Sequence, residues 1–220
     1  MPINETCPLC LASEAAEFHR DKLRPYFKCP SCDLVFVPRL FHLTPREEMQ
    51  RYEQHQNNPE DAAYRDFLLR LGAPLMQKLK PGSSGIDYGS GPGPTLSLIL
   101  AEQGFPTEIY DPYFADNPGV LEKVYDFLTC TETVEHFRNP AKHWQKIYHL
   151  VKPGGWIGVM TSLVTQDTDF KTWHYSRDDT HIAFYSTETM KWIAKRYELE
   201  MEIFGDSVVL MRKYEVRGTK

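Results

Sequence analysis

No stretch of this 220-residue chain approaches the roughly 18 consecutive apolar residues of a membrane-spanning helix. The opening MPINETCPLC holds neither a basic cluster nor an apolar run, so it does not read as an export signal, and a cytoplasmic protein is expected. Blocks of like charge never exceed a few residues and the net charge is −5, which argues against a nucleic-acid surface. Internal repeats and low-complexity tracts are absent. What remains is an ordinary globular composition, long enough for one sizeable domain and a small appendage. Of the five cysteines, four form two C-x-x-C pairs and Cys130 stands alone; an odd count in a chain without an export signal favours metal over disulfides.

Residues 1–46 form the appendage. Cys7-Pro8-Leu9-Cys10 and Cys29-Pro30-Ser31-Cys32 are separated by eighteen residues, within the spacing range of a four-thiolate zinc site. Tyr26-Phe27-Lys28 reads as a strand entering the second pair and Leu34 to Val37 as a strand leaving it, which together spell a zinc ribbon. Cys7, Cys10, Cys29 and Cys32 are the expected ligands of a structural Zn2+, because a core this small needs a staple and a closed four-sulfur site has no open position for catalysis. The module carries six Lys/Arg and five Asp/Glu. A Zn(Cys)4 centre adds about −2, so phosphate binding is disfavoured and a supporting or covering role fits better.

The remainder, residues 47–220, is organised around Gly85-Ile86-Asp87-Tyr88-Gly89-Ser90-Gly91-Pro92-Gly93. An apolar stub, alternating glycines and then Leu96, Leu98, Ile99 and Leu100 predict strand, tight turn and helix, with the backbone free to approach a ligand. Pro94 sits where the dinucleotide fingerprint G-x-G-x-x-G needs its third glycine. Asp87, two residues ahead of the turn, would repel a pyrophosphate but suits a ligand carrying an ammonium. Asp111 ends the next strand, Thr107 to Asp111, twenty residues past Gly91, where an acidic residue meets ribose hydroxyls in nucleotide-binding units; a cap on the Asp111-Pro112 turn is the alternative.

The spelling D-x-G-x-G-x-G, followed by YDFLTCTETVEHF and LVKPGGWIGVMT, resembles the class I S-adenosylmethionine (SAM) methyltransferases, in particular the ubiquinone-biosynthesis-like branch whose fourth motif ends in E-x-x-E-H. The resemblance covers most of residues 60–213 and implies an α/β fold: a Rossmann-like, mostly parallel sheet with an antiparallel hairpin at residues 198–212. It implies SAM as cofactor, held by Asp87, Gly89, Gly91, Gly93 and Asp111, with Thr131 and Glu132 beyond the next strand. The helices before the glycine turn cover the cofactor in such enzymes, which makes Tyr64, Tyr52 and His55 candidates for its methionine end, although each also serves as an ordinary packing residue. Only thirteen residues separate Asp111 from the strand beginning at Tyr125, too few for the usual helix and edge strand, so six strands are expected instead of seven and the adenine contact stays unassigned.

Residues 162–186 form a long polar stretch rich in aromatics, where related enzymes insert substrate loops. His181 can serve as general base with Asp178 or Asp179 fixing its tautomer, or as a hydrogen-bonded structural histidine. His136 is a second catalytic candidate, on one face with Glu132 and Glu135 if that stretch is a helical turn. Trp173, Tyr175 and Tyr185 can line the acceptor or pack the loop down. Cys130 reads as a buried core thiol. The expected activity is methyl transfer to an O or N atom of a small-molecule acceptor. Two alternatives stay open, an RNA base methyltransferase gripping its substrate with the ribbon and a non-catalytic SAM-binding or assembly protein. Oligomeric state is unassigned.

Overall fold

The computed structural model describes residues 5–54 and 57–215. In the appendage, β1 (Ala16–Arg20), β2 (Pro25–Lys28) and β3 (Val35–Phe36) form an antiparallel sheet. Its fourth strand, β8 (Ala183–Phe184), comes from the far end of the chain and pairs Val35 with Phe184 and Phe36 with Ala183. A cluster of Tyr26, Val35, Val37, Phe170, Tyr175 and Phe184 fills the space between ribbon and loop.

The helix α1 (Pro45–Tyr52) starts as its sequence requires: Thr44 accepts from the Glu47 amide, Glu47 reaches back to the Thr44 amide, and Pro45 occupies the first position. Asp61 caps α2 (Ala62–Met76), which runs through Gly72 and Pro74 without breaking because Leu71 and Leu75 are wholly buried on either side of them. It ends at Met76.

The large sheet contains β4 (Gly85–Tyr88), β5 (Thr107–Tyr110), β6 (Tyr125–Thr131), β7 (Val151–Met160), β9 (Leu199–Phe204) and β10 (Val208–Lys213). Their order is β5-β4-β6-β7-β10-β9, the first four parallel and β10 antiparallel to both neighbours. These are the expected six strands. Between Asp111 and Tyr125 the described chain makes one 3-10 turn, Pro118–Glu122, and no strand, so β5 is the sheet edge. The Lys152–Gly155 run belongs to β7: Tyr125 pairs Val151 while Phe127 pairs Trp156, so the extra residues bulge out with Gly154 at φ 81°.

Helices cover both faces, as parallel strands demand. On one face α2 and α3 (Thr95–Glu102) bring Leu68, Leu71, Leu75, Ile99 and Leu100 against Phe127, Met160 and Leu210. On the other, α4 (Pro140–Leu150) and α5 (Thr187–Arg196) bring Trp144, Ile147 and Ile193 against Ile86, Leu128 and Val159. That second core continues into the ribbon through Leu9, Phe27 and Phe36. In α5, Thr189 takes the place of glutamate in the box with Ser186. From β4 the chain goes to β5 on one side and then crosses from β5 back past β4 to β6 on the other; at that reversal a crevice opens at the strands' C-terminal ends. None of the described helices is long and apolar enough to cross a membrane.

Candidate functional site

A cavity of about 650 Å³ opens at that crevice, within the size range of small-molecule sites. Its floor is the glycine turn. Gly89 and Gly91 take φ of 83° and 64°, open to glycine at no steric cost. The Gly89 and Ser90 amides both donate to the Tyr110 carbonyl, at 2.7 and 3.2 Å, tying the turn to β5. The chain passes so close that a Cβ at Gly89 would lie 2.1 Å from the Thr133 methyl, and one at Gly93 2.3 Å from the Asn57 carbonyl oxygen. Pro94 stands just before the first helical residue, Thr95, as the cap position.

Asp87 is buried and accepts from the Thr129 hydroxyl at 2.7 Å; burial pushes its carboxyl up to about 6. Asp111 accepts the Tyr113 and Phe114 amides on one oxygen and the Gly91 amide on the other, at 2.8, 3.1 and 3.0 Å. It is thus the turn cap that was the alternative reading, and it also lines the cavity with acceptor capacity to spare, since a carboxylate offers about four lone-pair sites. Two wall hydroxyls, Ser90 Oγ and Thr131 Oγ1, are buried with no hydrogen-bond partner among the described residues. Orphaned polar atoms of this kind mark a place for a ligand or water. Tyr64 lines the same wall, its phenol raised to about 12 by burial.

At the other end, Glu132 holds φ 48°, a left-handed conformation that costs a non-glycine residue energy and fixes where its carboxyl points. Glu132 and Glu135 do not share a helical face. Glu135 is wholly buried, with Thr161 donating to one oxygen at 3.0 Å and the Tyr175 hydroxyl in contact with the other. Tyr175 also reaches Glu132 at 3.2 Å. One phenol proton cannot serve two carboxylates. Burial, reinforced by Glu132, drives the Glu135 carboxyl well above its usual range, and burial raises Glu132 to about 7. A neutral Glu135 donating to Tyr175, which donates in turn to Glu132, satisfies all three.

His181 is buried and its Nδ1–H donates to the Tyr175 carbonyl at 2.8 Å, leaving Nε2 as the open acceptor. Asp178 lies 3.8 Å from Nε2 and spends one oxygen on Thr180, while Asp179 pairs with Arg51. The expectation that Asp178 or Asp179 fixes the tautomer is therefore corrected: a backbone carbonyl does so. Burial first, then His136, lowers His181 to about 3, so the ring is neutral. His136 Nδ1 meets the Thr180 carbonyl at 3.1 Å, and its ring lies 4.8 Å from His181 and 5.2 Å from Tyr52. Ligating atoms of Glu135, His136 and His181 come within 4.8 Å of one another, close enough to hold a cation.

Of the expected site residues, Tyr64, Asp87, Gly89, Gly91, Gly93, Asp111, Thr131, Glu132, His136, Tyr175 and His181 line this one cavity. Trp173 and Tyr185 do not. Trp173 packs on Phe170, Tyr175 and Phe184, and Tyr185 is a core residue whose hydroxyl donates to the Val134 carbonyl. His55 lies outside the described residues. The sequence reading missed the latch of α1: Glu48, buried, accepts from Tyr52, Tyr113 and Arg138 at 2.8 to 3.0 Å. It also missed an aromatic lobe beside β5, where Tyr88 stacks on Tyr110 and its hydroxyl is hydrogen-bonded with His143 Nδ1, and His143 stacks on Phe137 at 4.0 Å. Only the position of Tyr113, two after Asp111, was a usable signal.

The four ribbon thiols converge, with Sγ pairs Cys7–Cys32 at 3.5 Å and Cys10–Cys29 at 3.4 Å. The knuckles repeat one geometry. Leu11 and Asp33, each just past its pair, take φ of 66° and 62° and donate to the Cys7 and Cys29 carbonyls. Cys7 is lowered by the Cys32 thiol while Cys32 is raised by Cys7, the pattern of thiols crowded to share protons.

A family model described as "Methyltransferase domain" matches residues 50–202. A curated protein named ubiquinone biosynthesis O-methyltransferase, from Pseudomonas savastanoi pv. phaseolicola, is 32% identical over 78 residues, 36% of this chain and 34% of that protein. The chain thus spans about a third of the length of the curated relatives it matches first. Among solved structures it is similar to Burkholderia thailandensis 1,6-didemethyltoxoflavin-N1-methyltransferase, crystallised with 1,6-didemethyltoxoflavin and S-adenosylhomocysteine: TM-score 0.56, 12% identity, 90% of this chain and 99% of that one. A Pyrococcus horikoshii protein gives TM-score 0.52 at 14% identity, over 76% of this chain and 99% of that one. At such identities the likeness is one of fold.

Proposed function

This chain belongs to the methyltransferase-domain family, and from that premise we propose that it transfers a methyl group from SAM to an oxygen or nitrogen atom of a small-molecule acceptor. The observation that carries the reading is a single cavity with two chemically distinct ends. One end has the left-handed glycine turn, Asp87, Asp111 and the unpartnered Ser90 and Thr131 hydroxyls; the other has the Glu132–Tyr175–Glu135 chain and His181. The relatives' printed names, which describe O- and N-methylation of small molecules, agree with a cavity of this size.

Bound SAM would supply an activated methyl on its sulfonium, for the acceptor's lone pair to take with S-adenosylhomocysteine as the leaving group. The protein's part is proximity, orientation and removal of the acceptor's proton. Asp111 would accept from ribose hydroxyls and Asp87 would face the amino-acid end. Glu132, at about 7, is the proton acceptor poised near working pH, and neutral His181 presents Nε2 as a hydrogen-bond acceptor that orients the acceptor's O–H or N–H. The α1 latch at Glu48 lines the cavity and ties α1 to Tyr113 and Arg138 across it.

The same proposal includes a structural Zn2+ on Cys7, Cys10, Cys29 and Cys32. Converging thiols on two matching knuckles support it, and four ligands leave no position for chemistry.

Calorimetric titration with SAM, S-adenosylhomocysteine and NADH tests the reading, repeated on Asp111→Asn, which keeps the side chain's shape but cannot accept on both atoms. Micromolar SAM and S-adenosylhomocysteine binding, weakened at least about tenfold by the substitution and absent for NADH, is expected. Folded, metal-loaded protein that ignores SAM would leave a non-catalytic role.

A further inference from the structure

We propose that Arg24, in the N-terminal ribbon, is a positioning residue for the acceptor end of the cavity: its guanidinium holds the backbone of residues 176–179 and thereby orients Tyr175 and His181. The inference rests on the proposed function for the meaning of that end.

Arg24 directly precedes β2 and is 5% exposed. The guanidinium's own donors do not meet a carboxylate. Nη2 donates to the carbonyls of Ser176 and Asp178, at 3.0 and 2.7 Å, Nη1 to that of Asp179 at 3.0 Å, and Nε to the Tyr26 hydroxyl at 3.0 Å. Tyr26 in turn donates its one hydroxyl proton to Asp21 at 2.7 Å, with the Ser176 carbonyl 3.1 Å away. A buried arginine is ordinarily matched by an acid. Here three backbone dipoles of one short segment do most of that work, so the segment's conformation and the burial of Arg24 depend on each other.

That segment carries the candidate chemistry. The Asp178 carbonyl that meets Arg24 also accepts the His181 amide, and the His181 ring is aimed by the Tyr175 carbonyl. Beyond it, the Val37 amide donates to the Ile182 carbonyl and the Ile182 amide to the Glu135 carbonyl. The ribbon thus holds residues 176–179 and 182–184, and a planar guanidinium reaches the three carbonyls with fixed, forked donors where a lysine ammonium is a compact point charge.

The test uses full-length, metal-loaded protein with Arg24→Met and Arg24→Lys. The 1H–15N signal of the His181 Nδ1–H and amide exchange over 175–182 report on the loop; S-adenosylhomocysteine calorimetry reports on the other end. Arg24→Met is expected to erase the ring N–H signal and speed exchange in 175–182 by about tenfold or more, with cofactor-product affinity unchanged within about twofold. Arg24→Lys should recover part of both. Parent-like signal and exchange in Arg24→Met would overturn the inference. So would acceleration spread evenly over ribbon and sheet, which marks a general stabiliser. If Arg24→Met does not fold, Arg24→Lys decides, with exchange in 175–182 still faster than in the parent expected and parent-like exchange refuting. Parent protein that fails to bind S-adenosylhomocysteine removes the proposed function, while the loop readouts still judge Arg24.

Discussion

Replacing Glu132 by glutamine should stabilise the protein, and do so more strongly as pH rises. The carboxyl is lifted from 4.5 to about 7, burial being the first cause. Between those values the folded state holds a proton that the unfolded state has lost, so stability falls as pH rises through the window. At about 1.4 kcal/mol per pH unit, the cost of keeping Glu132 buried is about 1 kcal/mol at pH 5 and about 3 kcal/mol at pH 8. Glutamine carries no such cost. Its amide still accepts from Tyr175, but the exchanged NH2 loses roughly 1 kcal/mol in desolvation. Glu132→Gln should therefore be near neutral at pH 5 and about 2 kcal/mol more stable at pH 8. Urea unfolding of both proteins at the two pH values measures this. The pH-dependent increment is the decisive quantity, because the glutamine's fixed offset cancels. Equal pH dependence in the two proteins would show that Glu132 ionises without penalty and that the acceptor end is wetter than its burial indicates.

Gly93→Ala places a methyl 2.3 Å from the Asn57 carbonyl oxygen; the roof must move, and SAM affinity measured by calorimetry should fall by about tenfold or more. Tyr175→Phe strips a partner from the buried Glu135 and from the half-buried Glu132 and should cost about 2–3 kcal/mol in a urea melt, whereas Tyr185→Phe loses one neutral bond to a carbonyl and should cost about 1 kcal/mol. His181, lowered to about 3, should show no ring protonation by 15N NMR between pH 5 and 8; titration near 6.5 would refute its burial. One zinc per chain is expected by mass spectrometry of the native protein, and Cys29→Ser should release it and raise amide exchange in β1–β3 and in β8, which completes their sheet.

Much of the frame was readable because its signals are local. Thr44-Pro45-Arg46-Glu47 is a helix start wherever it occurs, and the glycines around Ser90 have few uses other than close approach. The thirteen residues after Asp111 were too few for a strand, and none formed. What escaped was long-range. The strand Ala183–Phe184 is two residues long and has no period; its pairing with β3 is set by a partner about 150 positions away. Tyr185 reads like a loop aromatic, yet the alternation imposed by that strand turns it into the core beneath Trp144. Glu135 and His136 adjoin in sequence, but a short 3-10 turn sends one inward and the other to the cavity. The tautomer of His181 depends on a main-chain carbonyl, which no side-chain pattern announces.

The missing strand has a consequence outside ligand binding. With β5 at the margin, its unused main-chain groups offer a template on which another chain can add. The short segment that replaced the strand guards that margin. The 3-10 turn Pro118–Glu122 packs beside β5, and Lys123 and Tyr125 both grip Glu108 on the strand itself. At the opposite margin β9 turns Glu200 and Glu202 outward. Shortening this fold was thus a problem of solubility as well as of catalysis: a sheet that gives up its outermost strand must fence the next one with charge and proline or risk growing edge to edge.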